Sequence, residues 1–381
     1  MLVGVSPQFY RSKAMKLTPM AFRIGACAAS LIASSGLYAW DGAPRADNCY
    51  AGNFGSPPSQ KDKPLLIPCG RCLVQVSKTE SGWVETNSFS FVSVENGMLS
   101  IPSEMEGLRT KAIRPNAFAG NLEIKEVRIP SSVAWIGKRA FAGCTNLSSL
   151  VMLCGDHGST LYDDGVGFIH SEAFMDCTSL TNVVFPDRLS AIDDWAFKGC
   201  RLLKEAALPP FVAHVSGSSF DDCESLRSGD LSLAMDAMVY AYRGCPSLEE
   251  VRVSSNNTTY VVYDGAVYYK DLRALLRVPP QLDVRILSVR DGVKVICPFA
   301  FENSQIESVR LPDSLIYIGE QAFGCCTNLD SVSVPKGVEE IGDQAFIGCV
   351  KLKEVFFMGD KLPKIGDRAF PPCVRMRLRG K

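Results

Sequence analysis

The feature that most constrains this chain is an Ala-Phe pair that returns along most of its length. The pair is intact at Ala117-Phe118, Ala140-Phe141, Ala173-Phe174, Ala196-Phe197, Ala300-Phe301, Ala322-Phe323, Ala345-Phe346 and Ala369-Phe370. Ser219-Phe220 and Ala241-Tyr242 stand in for it twice. Successive aromatic residues lie 23, 33, 23, 23, 22, 59, 22, 23 and 24 positions apart. A fixed period of roughly 20–29 residues marks a solenoid, in which each unit buries its apolar face only against its neighbours. The spacing of 33 leaves room for an insertion near Cys154 to Val166, and the spacing of 59 for a further unit plus an extra element.

Within a unit, Leu352, Val355 and Phe357 fall at i, i+3 and i+5. The last two alternate as strand residues do, so one face of a short strand points inward. Pro130, Pro186, Pro209, Pro312 and Pro335 follow the strand in their units, and Pro cannot continue a ladder. The segment from Ile341 to Phe346 is too short for a free helix, so a single helical or 3₁₀ turn packed on the next unit is predicted.

From Leu329 to Cys349 the pattern Leu-x-x-Val-x-Val-Pro-x-x-Val-x-x-Ile-Gly-x-x-Ala-Phe-x-x-Cys resembles the BspA-like class of bacterial leucine-rich repeats. The resemblance runs from about Ile113 to Leu378. It implies an α/β leucine-rich-repeat solenoid of about ten repeats of about 23 residues. Parallel strands would line the concave face, with short helical or 3₁₀ turns opposite. Departures are local: Asp193 replaces Gly, Ser219 replaces Ala, Tyr242 replaces Phe, and Ser304 stands near a Cys position.

The expected organisation is a signal peptide at 1–39, an N-terminal Cys-containing cap region at 40–110, and the solenoid at 111–381 with a hairpin-like insertion at 254–283. Arg11, Lys13, Lys16 and Arg23 precede an uncharged run from Ile24 to Trp40, and Leu37-Tyr38-Ala39 suits cleavage. No stable membrane span is expected after that cleavage. The expected location is secreted, cell-surface or periplasmic. Cys69 and Cys72 form a Cys-x-x-Cys, which reads as a disulfide, a redox couple or half a zinc site. A structural disulfide is the preferred reading, because no strand-helix-strand pattern follows and too few ligands lie near for zinc.

Eight cysteines share one repeat phase, from Cys144 to Cys373. Stacked units would make them a ladder, either a metal or redox strip or a buried column of small apolar groups. The column is favoured, since neighbouring Cβ vectors in such a stack would point alike and suit a disulfide poorly. Asp156, Asp163 and Asp164 lack the spacing of a calcium loop. No triad, paired-carboxylate site or phosphate-binding Gly loop can be assembled, so no cofactor, metal or catalytic residue is expected. Forty basic residues (Lys+Arg 40) against 41 acidic leave a net charge of −1, which gives no basic footprint for nucleic acid.

In such units the outward strand side chains lie between the inward aliphatics, on the concave face. The pairs are Glu126/Arg128, Ser149/Val151, Asn182/Val184, Glu205/Ala207, Ser228/Asp230, Glu250/Arg252, Ser308/Arg310, Ser331/Ser333 and Glu354/Phe356. Glu126, Arg128, Asn182, Glu205, Asp230, Glu250, Arg252, Arg310, Glu354 and Phe356 are the candidate contact residues. Their mixed signs suit a protein or glycan partner better than a uniform polyanion. Tyr260, Tyr263, Tyr268 and Tyr269 flank an Asp-Gly turn; they form a second contact patch or pack the hairpin on the solenoid. The family resemblance implies a secreted or surface protein that binds host or bacterial partners. Two other readings stay open: an envelope scaffold without a soluble ligand, and thiol-disulfide exchange at Cys69 and Cys72.

Overall fold

The computed structural model describes the strand backbones at 65–69, 72–78 and 84–87 and residues 94, 96–105, 108–154, 165–210, 212–231, 242–253 and 257–378. All of these fall in one compact unit, Pro57–Lys381. The segment expected to be a signal peptide, the acidic insertion around Asp156 to Asp164, and the side chains of Cys69 and Cys72 lie outside the described residues. So does much of the cap region.

The described chain winds as a parallel solenoid of about 11 turns of ~23 residues. Most turns contribute a long strand and a two-residue strand, and each kind stacks on its own kind. Met98–Ser100, Glu126–Ile129, Ser149–Met152 and Asn182–Val184 pair in parallel, and Glu205 continues the line through a bridge to Asn182. The line resumes with Ser228–Leu231 on Glu250–Val253, Ile286–Ser288 on Ser308–Arg310, and Ser331–Val334 on Glu354–Phe357 and Arg375–Leu378. The short strands form a second wall, for example Trp135–Ile136, Phe168–Ile169, Ala191–Ile192 and His214–Val215. The alternation read from the sequence sets which side chains go in: Val127, Ile129 and Val355 are fully buried, while Arg128 is exposed.

The third side of each turn is made of short turns, consistent with the expected fold. No helix forms there among the described residues; the chain makes consecutive hydrogen-bonded turns. The reason is a left-handed residue on either side of the aromatic. Asn116 and Gly120 (φ 58° and 73°) flank Phe118, Arg139 and Gly143 (57° and 73°) flank Phe141, and Gln344 and Gly348 (53° and 74°) flank Phe346. A helix cannot run through a positive φ. The alternation turns every second amide along the solenoid axis. Phe141 N donates to Ala173 O (2.7 Å), Phe323 N to Ala345 O (2.8 Å) and Phe346 N to Ala369 O (2.7 Å). The turns are therefore laced to each other by backbone hydrogen bonds, as the strands are.

The aromatic residues stack inside this wall. Ring centroids from Phe118 through Phe141, Phe174, Phe197 and Phe220 are 5.1–5.4 Å apart, and those from Phe301 through Phe323, Phe346 and Phe370 are 4.5–4.9 Å apart. The cysteines sit beneath them. Cys144 Sγ donates to Phe118 O at 3.1 Å, Cys200 Sγ to Phe174 O at 3.3 Å and Cys349 Sγ to Phe323 O at 3.0 Å. Each thiol gives a second hydrogen bond to a carbonyl of the preceding turn that already accepts from a backbone amide, as Phe323 O does from Cys326 N at 3.2 Å, and packs as a small apolar group. Burial pushes Cys144 up to about 11 and Cys245 up to about 12, so these two thiols stay neutral and disfavour thiolate chemistry. Ser304 occupies the same place in its own turn and is equally buried.

Between Tyr242 and Phe301 one turn lacks the Ala-Phe pair. Tyr260–Tyr263 and Ala266–Tyr269 make the antiparallel hairpin, turning at Asp264 and Gly265 (φ 51° and 79°). Ala274–Arg277 then rejoins the short-strand wall beside Val295–Ile296. Buried Arg277 replaces the missing ring. Its guanidinium donates to Phe299 O (2.6 Å) and Tyr242 O (3.0 Å) and lies 3.6 Å from Glu302. Val278 N meanwhile donates to Ala300 O at 2.7 Å, keeping the backbone lacing unbroken across the gap.

Candidate functional site

The long-strand face carries two parallel columns of outward side chains, held in register by the ladder. Along one column Met98, Glu126, Ser149, Asn182 and Glu205 are successive neighbours. Along the other lie Ser100, Arg128, Val151 and Val184. Further on, Ser228 and Asp230 face Glu250 and Arg252, Ile286 and Ser288 face Ser308 and Arg310, and Ser331 and Ser333 face Glu354 and Phe356. All ten candidate contact residues therefore lie on one face.

Three rungs of these columns are invisible to the Ala-Phe anchor. Met98–Ser100 precedes the first pair, and Ile286–Ser288 belongs to the turn that lacks one. Arg375 and Arg377, whose alternation suggests edge protection, extend the columns next to Glu354 and Phe356. Alternation alone identifies the first and last of these. Ile286 is 56% exposed and Val184 is 56% exposed, so the face is not uniformly polar.

Several charges on the face neutralise one another. Arg128 Nε lies 2.8 Å from Glu126 Oε1. Arg252 Nε lies 2.7 Å from Asp230 Oδ1, and Arg252 reaches Ser228 Oγ at 3.3 Å; Asp230 also accepts from Leu208 N at 2.9 Å. The carboxylate beside Arg252 holds its guanidinium above the usual range. Arg377 pairs with Glu354 at 2.7 Å. Arg310 has no ion pair among the described residues. Toward the C-terminal end the face deepens into a groove of about 620 Å³ that includes Lys353, Glu354, Phe356 and Arg375.

The tyrosines are placed differently. Tyr268 is fully buried and Tyr260 nearly so, while Tyr263 is exposed and Tyr269 partly exposed. Arg273 lies over Tyr269 at 4.4 Å and Arg290 over Tyr263 at 4.8 Å. Tyr268 is opposite Leu275 of the short-strand wall, so the hairpin packs on the solenoid and offers little continuous aromatic surface. At the N-terminal end, the backbones of Cys69 and Cys72 face each other across the hairpin Leu65–Cys69/Cys72–Lys78. Among the described residues no group of three or more His, Cys, Asp and Glu has the arrangement of a metal site.

The comparisons with known proteins agree with this geometry. The BspA type leucine rich repeat region matches residues 84–155, 159–272 and 283–377 in 6 copies. Among solved structures, a leucine rich cell surface protein from Faecalibacterium prausnitzii A2-165 aligns with 20% identity and a TM-score of 0.58, over 84% of this chain and 96% of that one. The pneumococcal vaccine antigen PcpA aligns with 18% identity and a TM-score of 0.64, over 83% of this chain and 88% of its own. No curated protein matches. No helix among the described residues is long and apolar enough to cross a membrane. The repeat, its register and the family match over most of its length establish that this chain belongs to the BspA-type leucine-rich-repeat family.

Proposed function

We propose that this protein is a secreted or surface-exposed binding protein that holds a protein or glycan partner against its long-strand face by non-covalent contact. The observation that carries the reading is the face itself: two in-register columns of outward side chains, varied from turn to turn, above a core that repeats with few departures. A core needs the buried Leu, Val, Phe and Cys positions; it does not need Glu126, Arg128, Asn182, Glu205, Asp230, Glu250, Arg252, Arg310, Glu354 or Phe356. Solenoids present such extended surfaces to partners. The Faecalibacterium relative, described as a cell surface protein, supports the location.

Reversing charge at Arg128, Arg252 and Arg310 together tests the reading. Exposed ion pairs contribute about 0–1 kcal/mol each, so the fold should persist with little change in melting temperature. Partner binding by the secreted chain should weaken at least tenfold, measured by biolayer interferometry on partner-bearing cells or extracts. Unchanged binding by the folded triple variant would remove the long-strand face from the mechanism.

A further inference from the structure

The groove at the C-terminal end of the long-strand face brings two cations without ion pairs together, where Arg310 further along the face stands singly. Arg128 and Arg252 spend their charge on neighbours at 2.8 and 2.7 Å. In the groove, Glu354 is neutralised by Arg377 at 2.7 Å, whereas Asp330 accepts a hydrogen bond from Ser331 Oγ at 2.9 Å and has no ion pair among the described residues. Lys353 and Arg375 remain. Both are exposed, and among the described residues neither has an ion pair or a side-chain hydrogen bond. The backbone fixes them on adjacent turns: Arg375 is the ladder partner of Glu354, and Arg375 N donates to Lys353 O at 2.8 Å. Beside them Phe356, partly exposed, stands in a column whose other members are Arg, Ser, Val, Ala and Asp.

We propose that this groove is a docking site for an acidic peptide segment of a protein partner, with an apolar side chain placed next to a carboxylate. The inference rests on the reading of the long-strand face as a contact surface, and it names where and to what that surface binds. Lys353 and Arg375 supply two cations without ion pairs against the one unpaired carboxylate of Asp330, so the unpaired charge of the lining is net positive. An Arg fork takes a carboxylate with two parallel hydrogen bonds, and Lys adds a point charge beside it. Phe356 supplies the apolar anchor; Arg and aromatic residues together are the usual makings of a binding hot spot. A cationic or neutral polar segment would leave the two cations unpaired on docking, which disfavours it. The volume of about 620 Å³ suits a few residues of chain rather than a globular surface.

The test uses the full chain immobilised against a phage-displayed random peptide library. Selected peptides should be enriched in Asp and Glu within two positions of Leu, Phe, Tyr or Trp. Their affinity should fall at least tenfold on Lys353→Glu/Arg375→Glu, about 1.4 kcal/mol or more, and should fall likewise on Phe356→Ser. The melting temperature of each variant is measured alongside, and Lys353→Gln/Arg375→Gln, which removes charge without reversing it, should give a smaller loss in the same direction. Acidic peptides that bind the folded double variant as tightly as the parent would overturn the proposal. Peptides that lose binding on Arg128→Glu or Arg252→Glu but not on the groove variants would overturn it while leaving the long-strand face intact as a contact surface. Failure to enrich any peptide dependent on that face would overturn both.

Discussion

Phe346→Ala probes the packing account most sharply. Phe346 is fully buried and lies between two parallel rings, Phe323 at 4.8 Å and Phe370 at 4.9 Å, with interplanar angles of 3° and 12°. Truncating a buried Phe costs about 3–5 kcal/mol, and the cavity cannot collapse easily where both neighbours are held by backbone lacing. The two stacked contacts, each contributing about 0.5–1.5 kcal/mol, place the expected loss in the upper part of that range. Phe370 provides the internal control: it is only half-buried, so Phe370→Ala should cost about half as much. Urea unfolding gives the totals. Hydrogen exchange gives the location, because the amides of Phe323 and Phe346 donate to Ala345 O and Ala369 O at 2.8 and 2.7 Å and should lose protection first. A loss under about 1 kcal/mol for Phe346→Ala, or equal losses at the two sites, would refute the stacked-column reasoning.

Three further outcomes follow from the same geometry. Cys349→Val removes the second donor to Phe323 O, which still accepts from Cys326 N at 3.2 Å, and should destabilise by about 0.5–1.5 kcal/mol, whereas Cys349→Ser, which has a natural precedent in Ser304, should cost less; equal effects in urea melts would count against the hydrogen-bonding role. In the native protein a thiol reagent should label Cys154, Cys325 and Cys373, which are exposed, and spare Cys144, Cys177, Cys200, Cys223, Cys245, Cys326 and Cys349; mass spectrometry showing labelled ladder cysteines would contradict their burial. Asp221 is buried 2.8 Å from Arg243, and desolvation raises its carboxyl to about 7 despite Arg243 and Lys198, with Asp222 adding to the rise. A folded-state value above the unfolded one means the ionised form costs stability at high pH, and that cost is relieved as pH falls from about 8 toward 4. Asp221→Asn should therefore raise the melting temperature at pH 8 more than at pH 5, and the reverse order in a thermal scan would refute the assignment.

How much of this was legible beforehand depends on which residue carries the signal. The strands were legible because Val127, Ile129, Val332 and Val334 alternate with Glu126, Arg128, Ser331 and Ser333, and a period of two assigns faces without further information. The core column was legible because Phe and Cys keep one phase. The turn geometry was only half legible. The left-handed residue after the aromatic is often Gly, as at Gly120, Gly143 and Gly348, but the one before it is Asn116, Arg139, Glu172, Trp195 or Gln344, residues that do not advertise a positive φ. A short turn was expected there, and backbone lacing between turns, a non-local effect, sets its geometry. The strand Ile286–Ser288 was missed because its turn lost the Ala-Phe pair, and Arg277, a residue that reads as surface, fills the space. The tyrosines were ambiguous for a related reason: alternation in the hairpin does not say which face meets the wall, and Tyr268 turned out to meet it. Ion pairing across the face, as between Arg252 and Asp230, depends on register between turns and was not readable from either strand alone.

The most direct measurement of the central claim is site-specific photo-crosslinking in the producing cell. Benzoylphenylalanine would replace Val184, Ile286 or Phe356 on the long-strand face, and Trp195 or Ile347 on the turns. The account predicts partner adducts from the three long-strand positions, strongest at 356, and none from the two turn positions. Adducts from 195 or 347 alone, with none from 184, 286 or 356, would contradict it.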